Sequence, residues 1–399
     1  MRALLMTNAE PENQRHIPAL DGLRAVAFLM VFAEHYRLMP WGWAGVDVFF
    51  VLSGFLITGI LFDTRNRQYR VRNFYIRRTL RIFPLYYGLM ILLVIAYPIF
   101  HWQWNWGFLL WPAYLGNFCK GIAPYLYRSP LEMLADFHLV SANHHQSTLY
   151  LGHLWSLCVE EQFYLIWPWV VFWVRDRKKL MYICLGCVVF CLAMRIIGNH
   201  TLPQFMLDRG VLDFWTPFRV DALLLGGFLA LVRRGPSPRV LLVPARIGFG
   251  IFFSAALLWF VLNPCARHTP VDYPYPTWSY TWGLTFIDIF SACLIVMALE
   301  RGSMTARILD VRPLRWLGQI SYGAYVFHDI PHEKFIRVIA SLQIRHATVA
   351  IAALGLAFTL LAAWASYSLF EVRFIQLKDR WTKRAPSGPA LVEPKTGVE

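Results

Sequence analysis

The stretch LDGLRAVAFLMVFAEHYR (residues 20–37) is apolar enough to cross a membrane, yet it contains Arg24 and His35. Ionisable groups inside a membrane span are energetically costly and therefore usually functional. Three helical turns separate the two residues, so their side chains share one helix face, roughly 16 Å apart. The alternative is that Arg24 pairs with Asp21 one turn earlier while His35 faces lipid headgroups. On spacing alone, both interpretations stay open.

Composition predicts that most of the chain is membrane-embedded. Of its 399 residues 57% are hydrophobic, and the mean hydropathy is +0.44, whereas soluble domains contain about 45–50% apolar residues. In a soluble protein the net charge of +14 would suggest nucleic acid, but here Lys and Arg cluster between apolar runs. That is the positive-inside pattern, so membrane lipid is an expected partner and nucleic acid is not.

Ten apolar runs are long enough to cross a bilayer, which predicts an all-α, polytopic integral membrane protein with about ten transmembrane helices. The arginine-rich loops after the second, fourth, sixth and eighth runs fall on one side, so both termini are expected in the cytoplasm. We expect a cytoplasmic segment (1–16), a membrane-embedded region (17–371) and a basic, partly disordered cytoplasmic tail (372–399). The predicted spans are residues 17–36, 43–62, 80–100, 153–174, 180–198, 214–232, 246–263, 278–299, 315–335 and 347–370.

Asp47 enters the second predicted span at the same depth as His35. A carboxylate beside an imidazole can fix its tautomer and raise its basicity, so the two residues form a candidate catalytic dyad. The side chain of Glu34, the neighbour of His35 in sequence, is expected to point away from His35. The alternative for Asp47 is a carboxylate that the helix dipole favours at a helix start.

The third span begins with FYIRRTLRIFP, in which Arg77, Arg78 and Arg81 form a basic face at the cytoplasmic side. Such a face suits a ligand rich in phosphate. The alternative is a topology anchor that binds anionic lipid.

The fourth span begins with GHLWSLCVEEQFY and is unusually polar for a membrane helix. His153, Ser156 and Glu160 lie on one helical face, which predicts a polar cavity rather than lipid contact. Further polar or aromatic candidates in the fourth, sixth and ninth spans are Trp155, Glu161, Gln162, Arg219, Asp221, Ser321, Tyr325 and His328.

Metal and disulfide chemistry are weakly indicated. His138, His144 and His145 have no carboxylate or cysteine at regular ligand spacing, so no metal is expected. Cys119 and Cys265 lie in predicted outer loops and could pair, although packing as small apolar residues is the alternative.

Six segments together resemble acyltransferase family 3, a group of integral membrane proteins that includes O-antigen and other sugar O-acetylases. They are LDGLRAVAFLMVFAEHY, GVDVFFVLSGFLIT, RRTLRIFP, HLWSLCVEEQFYLIWP, FRVDALLLG and ISYGAYVFH. They occur in the order typical of the family, and the resemblance extends over residues 17–371. The resemblance implies acyl transfer from acyl-CoA, with acetyl-CoA as the expected donor. The implied acceptor is a sugar hydroxyl of a glycolipid or polysaccharide, and the implied location is the bacterial cytoplasmic (inner) membrane.

The resemblance also implies residue roles. His35 is expected to be catalytic, Arg24 to be required, and Arg78 and Arg81 to be associated with the donor. Relatives often carry an esterase-like domain after the membrane region. This sequence shows none, so a minimal transferase is expected.

Physical reasoning and resemblance combine into one hypothesis. Acyl-CoA docks at the cytoplasmic arginines (Arg77, Arg78 and Arg81), its pantetheine arm passes Arg24 and Tyr325, and the thioester approaches His35. His35, oriented by Asp47, removes the acceptor proton, and an acyl-histidine relay is the variant mechanism. Glu160 and Glu161 are further catalytic candidates. The expected tunnel residues are His153, Trp155, Ser156, Gln162, Arg219, Asp221, Ser321 and His328.

A different class of function also fits buried charges in a polytopic protein. A transporter or flippase for an anionic glycolipid or polysaccharide precursor would need no acyl-CoA. Such proteins usually show broken helices at paired positions of two halves, which this sequence does not show. The acyl group, the acceptor and the oligomeric state are left open by the sequence.

Overall fold

The structure is a computed structural model. It describes residues 17–99, 106–119, 138–139, 149–208, 210–262, 278–332, 334–336 and 347–382. The segment 1–16, most of the tail, His144, His145 and Cys265 lie outside the described residues. The domain boundaries and the pairing of Cys119 with Cys265 therefore stay predictions.

The described residues are mostly helical, with one pair of two-residue antiparallel strands. Turns of 3-10 helix occupy Trp106–Leu110, Gly116–Phe118, Gly152–Leu154 and Thr216–Phe218, and π-helical turns occupy Ser279–Gly283 and Tyr367–Glu371. The elements are α1 Pro18–His35, α2 Ala44–Thr64, α3 Arg70–Ile99, β1 His138–Leu139, β2 Leu149–Tyr150, α4 Trp155–Val174, α5 Arg177–Thr201, α6 Gln204–Leu207, α7 Val211–Phe214, α8 Val220–Arg233, α9 Leu242–Leu262, α10 Leu284–Ala298, α11 Met304–Leu309, α12 Arg312–Gln319, α13 Ser321–Phe327, α14 Ala347–Ser366 and α15 Val372–Trp381.

Several helices present apolar side chains outward, as membrane helices do. Ile91, Leu92, Val189 and Leu361 are each more than half exposed, and water would penalise so large an apolar surface. The prediction of a helical membrane protein is thus supported, but the count of about ten spans is not confirmed. By length and composition, the described helices that could cross a membrane are Ala44–Thr64, Arg70–Ile99, Arg177–Thr201, Ser279–Ala298 and Ala347–Lys378.

The predicted ninth span, 315–335, is wrong as a continuous helix. The chain forms the short helices α12 and α13, which meet at Ile320. Ser321 donates a hydrogen bond to the carbonyl of Gly318 at this break. Neither helix reaches the length of about 20 residues that a bilayer needs. The predicted sixth span is also shorter than expected, because α8 begins only at Val220.

Helix α2 lies at the centre of the fold and is buried along most of its length. It crosses α8 where two glycines allow backbone contact: a Cβ atom on Gly54 would collide with the carbonyl of Leu223, and one on Gly226 with that of Val51. Small residues permit such close crossings between membrane helices. The crossing packs α8 on α2, and α1 contacts both α2 and α12.

Candidate active site

His35 lies at the end of α1 and contacts the segment that follows α13. Its Nδ1 atom is 2.7 Å from Nε2 of His328. Nδ1 of His328 is in turn 2.7 Å from the carbonyl oxygen of Tyr325. The break at Ile320 therefore matters for the site, because it lets a short helix end beside His35 instead of continuing through the bilayer.

The two imidazoles of His35 and His328 meet edge to edge. Their ring planes differ by 5° and their centroids are 4.9 Å apart. That separation is close to the N···N distance plus two ring radii, so the bond between them lies in both ring planes. This is the linear geometry of a good hydrogen bond.

Among the described residues, Asp329 is one of two carboxylates within 4 Å of His35, and it was not among the predicted site residues. Its Oδ2 atom is 3.7 Å from Nδ1 of His153 and 3.9 Å from Nδ1 of His35, and its Oδ1 atom is 3.6 Å from Nδ1 of His332. The sequence signal was its position directly after His328. The Asp329 carboxyl thus lies among three imidazoles.

The prediction that Glu34 points away from His35 is wrong. Glu34 Oε2 lies 3.2 Å from His35 Nε2. Neighbouring residues diverge at their Cβ atoms on a helix, but long side chains at a helix end can converge at their tips. Glu34 and His35 consequently face the same cavity.

Asp47 does not orient His35, contrary to the expected dyad. Its Oδ1 atom accepts a hydrogen bond of 2.7 Å from Arg219, and both side chains are buried. A guanidinium is a stronger partner for a buried carboxylate than a neutral imidazole, because it compensates the full charge. His328 and Asp329 occupy the positions near His35 that were expected for Asp47.

Asp221 was expected to line a tunnel, but it forms a buried ion pair instead. Arg195 donates to Asp221 Oδ2 over 2.6 Å, and also to the Thr285 hydroxyl and the Thr281 carbonyl. Arg195 was missed by sequence reasoning, although an arginine within an apolar run was the available signal. This pair joins α5, α8 and α10, and it serves packing rather than a cavity.

The first of two neighbouring cavities is rich in arginine. Of the three arginines predicted to form a basic face, Arg77 is exposed and does not line this cavity. Arg78 and Arg81 do line it, together with Arg24. Arg78 lies over the ring of Tyr164 at 3.9 Å. The predicted residues that line this cavity are Arg24, Arg78, Arg81, Ser156, Glu160, Glu161, Ser321 and Tyr325.

The second cavity contains His35. Its aromatic wall includes Trp43, Trp155 and Phe214, and the Trp155 and Phe214 rings meet edge to face at 5.0 Å. Arg219 also lines it. This is the larger of the two cavities, and tryptophan lines it but not the first.

Tyr325 separates the two cavities and lines both. Its hydroxyl lies 2.6 Å from Ser156 Oγ and 2.8 Å from the carbonyl of His153. His153 and Ser156, expected on one face of one helix, therefore face different cavities. Tyr325, which contacts both residues, lies between the two cavities.

Gln162 also departs from its predicted place in the tunnel. Its amide nitrogen donates to the carbonyl of Tyr114 over 2.7 Å and to Asn117 Oδ1 over 2.9 Å. Its amide oxygen accepts from the Thr216 hydroxyl. Gln162 ties α4 to two irregular segments, so its polar group is satisfied by structure rather than by a ligand.

Comparison with known proteins identifies the family of the chain. The sequence profile of the acyltransferase-domain family matches residues 17–368. The chain belongs to this family. The resemblance stated from the six segments is thereby confirmed. No solved structure matches the chain.

Named members of this acyltransferase family are similar over most of the chain. It is 33% identical over 334 residues to the peptidoglycan O-acetyltransferase OatA of Listeria monocytogenes, covering 79% of this chain and 49% of the relative. It is 32% identical to the putative peptidoglycan O-acetyltransferase YrhL of Bacillus subtilis, with coverage of 79% and 49%. It is 27% identical to the O-acetyltransferase OatA of Staphylococcus aureus, with coverage of 79% and 50%. The chain thus spans about half the length of these curated relatives.

Proposed function

We propose that this protein is a membrane O-acyltransferase that moves an acetyl group from acetyl-CoA to a sugar hydroxyl of a cell-envelope glycan. It would act in the bacterial cytoplasmic membrane, with about ten crossings and both termini in the cytoplasm. One observation carries the proposal: an arginine-lined cavity and a histidine-containing cavity meet at Tyr325. Such a pair suits two substrates that arrive separately and react at their junction.

The arginine-lined cavity is the proposed donor site. Arg24, Arg78 and Arg81 come from two helices and converge on one space. Coenzyme A carries phosphates, and guanidinium groups bind phosphate through charge-assisted, often bidentate hydrogen bonds. Glu160 and Glu161 line the same cavity and partly balance the cationic charge, so we assign them to the donor side rather than to proton transfer.

The aromatic cavity is the proposed acceptor site. Trp43, Trp155 and Phe214 offer flat apolar faces on which a sugar ring can stack. Two relatives are named for peptidoglycan O-acetylation, and that name supports a cell-envelope glycan as the acceptor here. A glycolipid or another polysaccharide with a free hydroxyl has the same chemistry.

His35 is the proposed general base. It removes the proton from the acceptor hydroxyl while that oxygen attacks the thioester carbonyl carbon. The new C–O bond forms, the C–S bond breaks, and the departing thiolate of CoA takes the proton from His35. In the variant mechanism His35 first accepts the acetyl group and then passes it to the hydroxyl.

The test compares a deletion strain complemented with wild type, with His35→Ala or with His200→Ala. His200 is an exposed histidine at the end of α5, away from both cavities, and serves as the matched control. Mass spectrometry of the envelope glycans should show an acetyl mass difference with wild type and His200→Ala only. Release of CoA by isolated membranes should follow the same pattern.

Two results would overturn the proposal. Acetylation by His35→Ala at matched protein level would remove His35 from the reaction. A strain whose glycans and CoA release do not depend on the protein would instead favour a transporter, which needs no acyl-CoA.

A further inference from the structure

We propose that His328 is a positioning residue that holds His35 in the tautomer with its proton on Nδ1, so that Nε2 is the reacting nitrogen. The inference rests on the proposed function, in which His35 is the base. It adds the residue that orients the base and the atom that acts. The observation behind it is a chain of two short hydrogen bonds that runs from His35 through His328 to a backbone carbonyl.

The backbone end of this chain determines the direction of both bonds. A carbonyl oxygen can only accept, so Nδ1 of His328 must carry the hydrogen that it donates to Tyr325 over 2.7 Å. A neutral imidazole carries one hydrogen, so Nε2 of His328 is then an acceptor. Nδ1 of His35, 2.7 Å away, must therefore donate to it.

The neutral form of His328 follows from its surroundings. Its side chain is fully buried, and among the described residues no carboxylate lies within ion-pair distance of it, whereas Asp329 is within 4 Å of His35, His153 and His332. Burying an unpaired imidazolium would be costly. His328 therefore acts as a fixed acceptor.

Asp329 could be considered as the orienting group instead of His328, but the distances exclude it. Asp329 Oδ2 is 3.9 Å from Nδ1 of His35, which is too long for a hydrogen bond. The bond to His328 is shorter and lies in both ring planes. Asp329 remains close enough to stabilise the imidazolium that forms when His35 takes a proton.

His35 and Glu34 both line the second cavity, and Glu34 Oε2 lies 3.2 Å from Nε2, the remaining nitrogen of His35. With Nδ1 donating to His328, Nε2 carries the lone pair, so the Glu34 carboxyl beside it must be protonated and donate to Nε2 until an acceptor hydroxyl takes its place. Without an acceptor at position 328, His35 could adopt the other tautomer, whose lone pair on Nδ1 would face the protein interior. A wrong tautomer of a catalytic histidine lowers kcat strongly.

The experiment measures the tautomer directly by ¹⁵N NMR of histidine-labelled protein in lipid, at a pH where imidazoles are neutral. The His35 resonances are assigned by their absence in His35→Ala. We expect a protonated Nδ1 and a non-protonated Nε2 in the wild type. The reverse tautomer would overturn the inference while leaving acetyl transfer by His35 intact.

Two variants separate positioning from folding. In His328→Gln the amide oxygen is the same number of bonds from Cβ as the lost Nε2, so it can still accept from His35. In His328→Phe the ring shape is kept but the acceptor is lost. In His328→Phe we expect His35 to lose the Nδ1–H tautomer and kcat to fall by about 10–100-fold, without a change in the KM for acetyl-CoA. In His328→Gln we expect most of the Nδ1–H tautomer and most of the wild-type kcat to be kept.

Equal tautomer populations in the wild type and the Phe variant would contradict the role of His328. Should the Phe variant fail to fold, the wild-type spectrum alone still decides which nitrogen carries the proton. An active His35→Ala would defeat the proposed function instead, whatever tautomer the wild type shows. The two failures are therefore distinguishable.

Discussion

Asp47 and Arg219 form an ion pair of 2.7 Å between side chains that are 172 positions apart in the chain. Both side chains are almost completely buried. The pair links the start of the central helix α2 to the segment that enters α8, directly beside the cavity that contains His35. Arg219 is thus the partner of Asp47, the buried carboxylate that was expected to orient His35.

Removing one member of this pair should destabilise the fold strongly. In Asp47→Ala, Arg219 would lose the carboxylate to which it donates, and breaking a buried ion pair costs about 3–5 kcal/mol of unfolding free energy. We expect a clear drop in the thermal unfolding temperature of purified protein in detergent. The double variant Asp47→Ala with Arg219→Leu should recover part of the loss, because the cation that lost its partner is also removed.

Asp310→Ala is the matched control for that experiment. Asp310 pairs with Arg315 at 3.3 Å, but both side chains are substantially exposed, and such pairs contribute about 1 kcal/mol or less. Equal unfolding temperatures for Asp47→Ala and Asp310→Ala would mean that the buried pair has no special weight.

The glycine crossing of α2 and α8 should be intolerant of even one added methyl group. In Gly54→Ala the new Cβ would collide with the carbonyl of Leu223, which is backbone and cannot rotate away. We expect a loss of about 1–3 kcal/mol in unfolding free energy, as for other overpacked sites. Gly186→Ala is the control, since a Cβ there meets open space and alanine favours a helix. A stable Gly54→Ala would show that the two backbones are not in contact.

The arginine cluster should affect the donor more than the acceptor. Loss of one charge-assisted contact in Arg78→Ala should raise the KM for acetyl-CoA by about 10-fold or more, with a smaller effect on the KM for the glycan. Arg77→Ala is the control, because Arg77 is adjacent in sequence but exposed and outside the cavity. Initial rates of CoA release measure both constants. Equal increases for the two variants would point to general membrane electrostatics rather than a donor site.

The sequence was most informative where local composition is sufficient. Long apolar runs and arginine-rich loops indicated a helical membrane protein, and motif order indicated the family. It was least reliable for continuous spans: residues 315–335 are apolar enough for one helix, but their break at Ile320 depends on packing against α1. The residues predicted around Arg24 do share a cavity, because Arg78, Arg81 and Glu160 come from long, regular helices.

Residue patterns could not predict which buried polar side chains contact each other in the folded protein. Periodicity places side chains on a face of one helix, which was enough to select Arg24 and His35 as candidates. It does not tell which groups meet across helices, so it paired His35 with Asp47, whereas the fold pairs His35 with His328 and Asp47 with Arg219. A helix in contact with lipid needs apolar residues along its own length, and these can be recognised directly in the sequence. Buried charges select for compensating partners, and those are brought together only when distant helices pack.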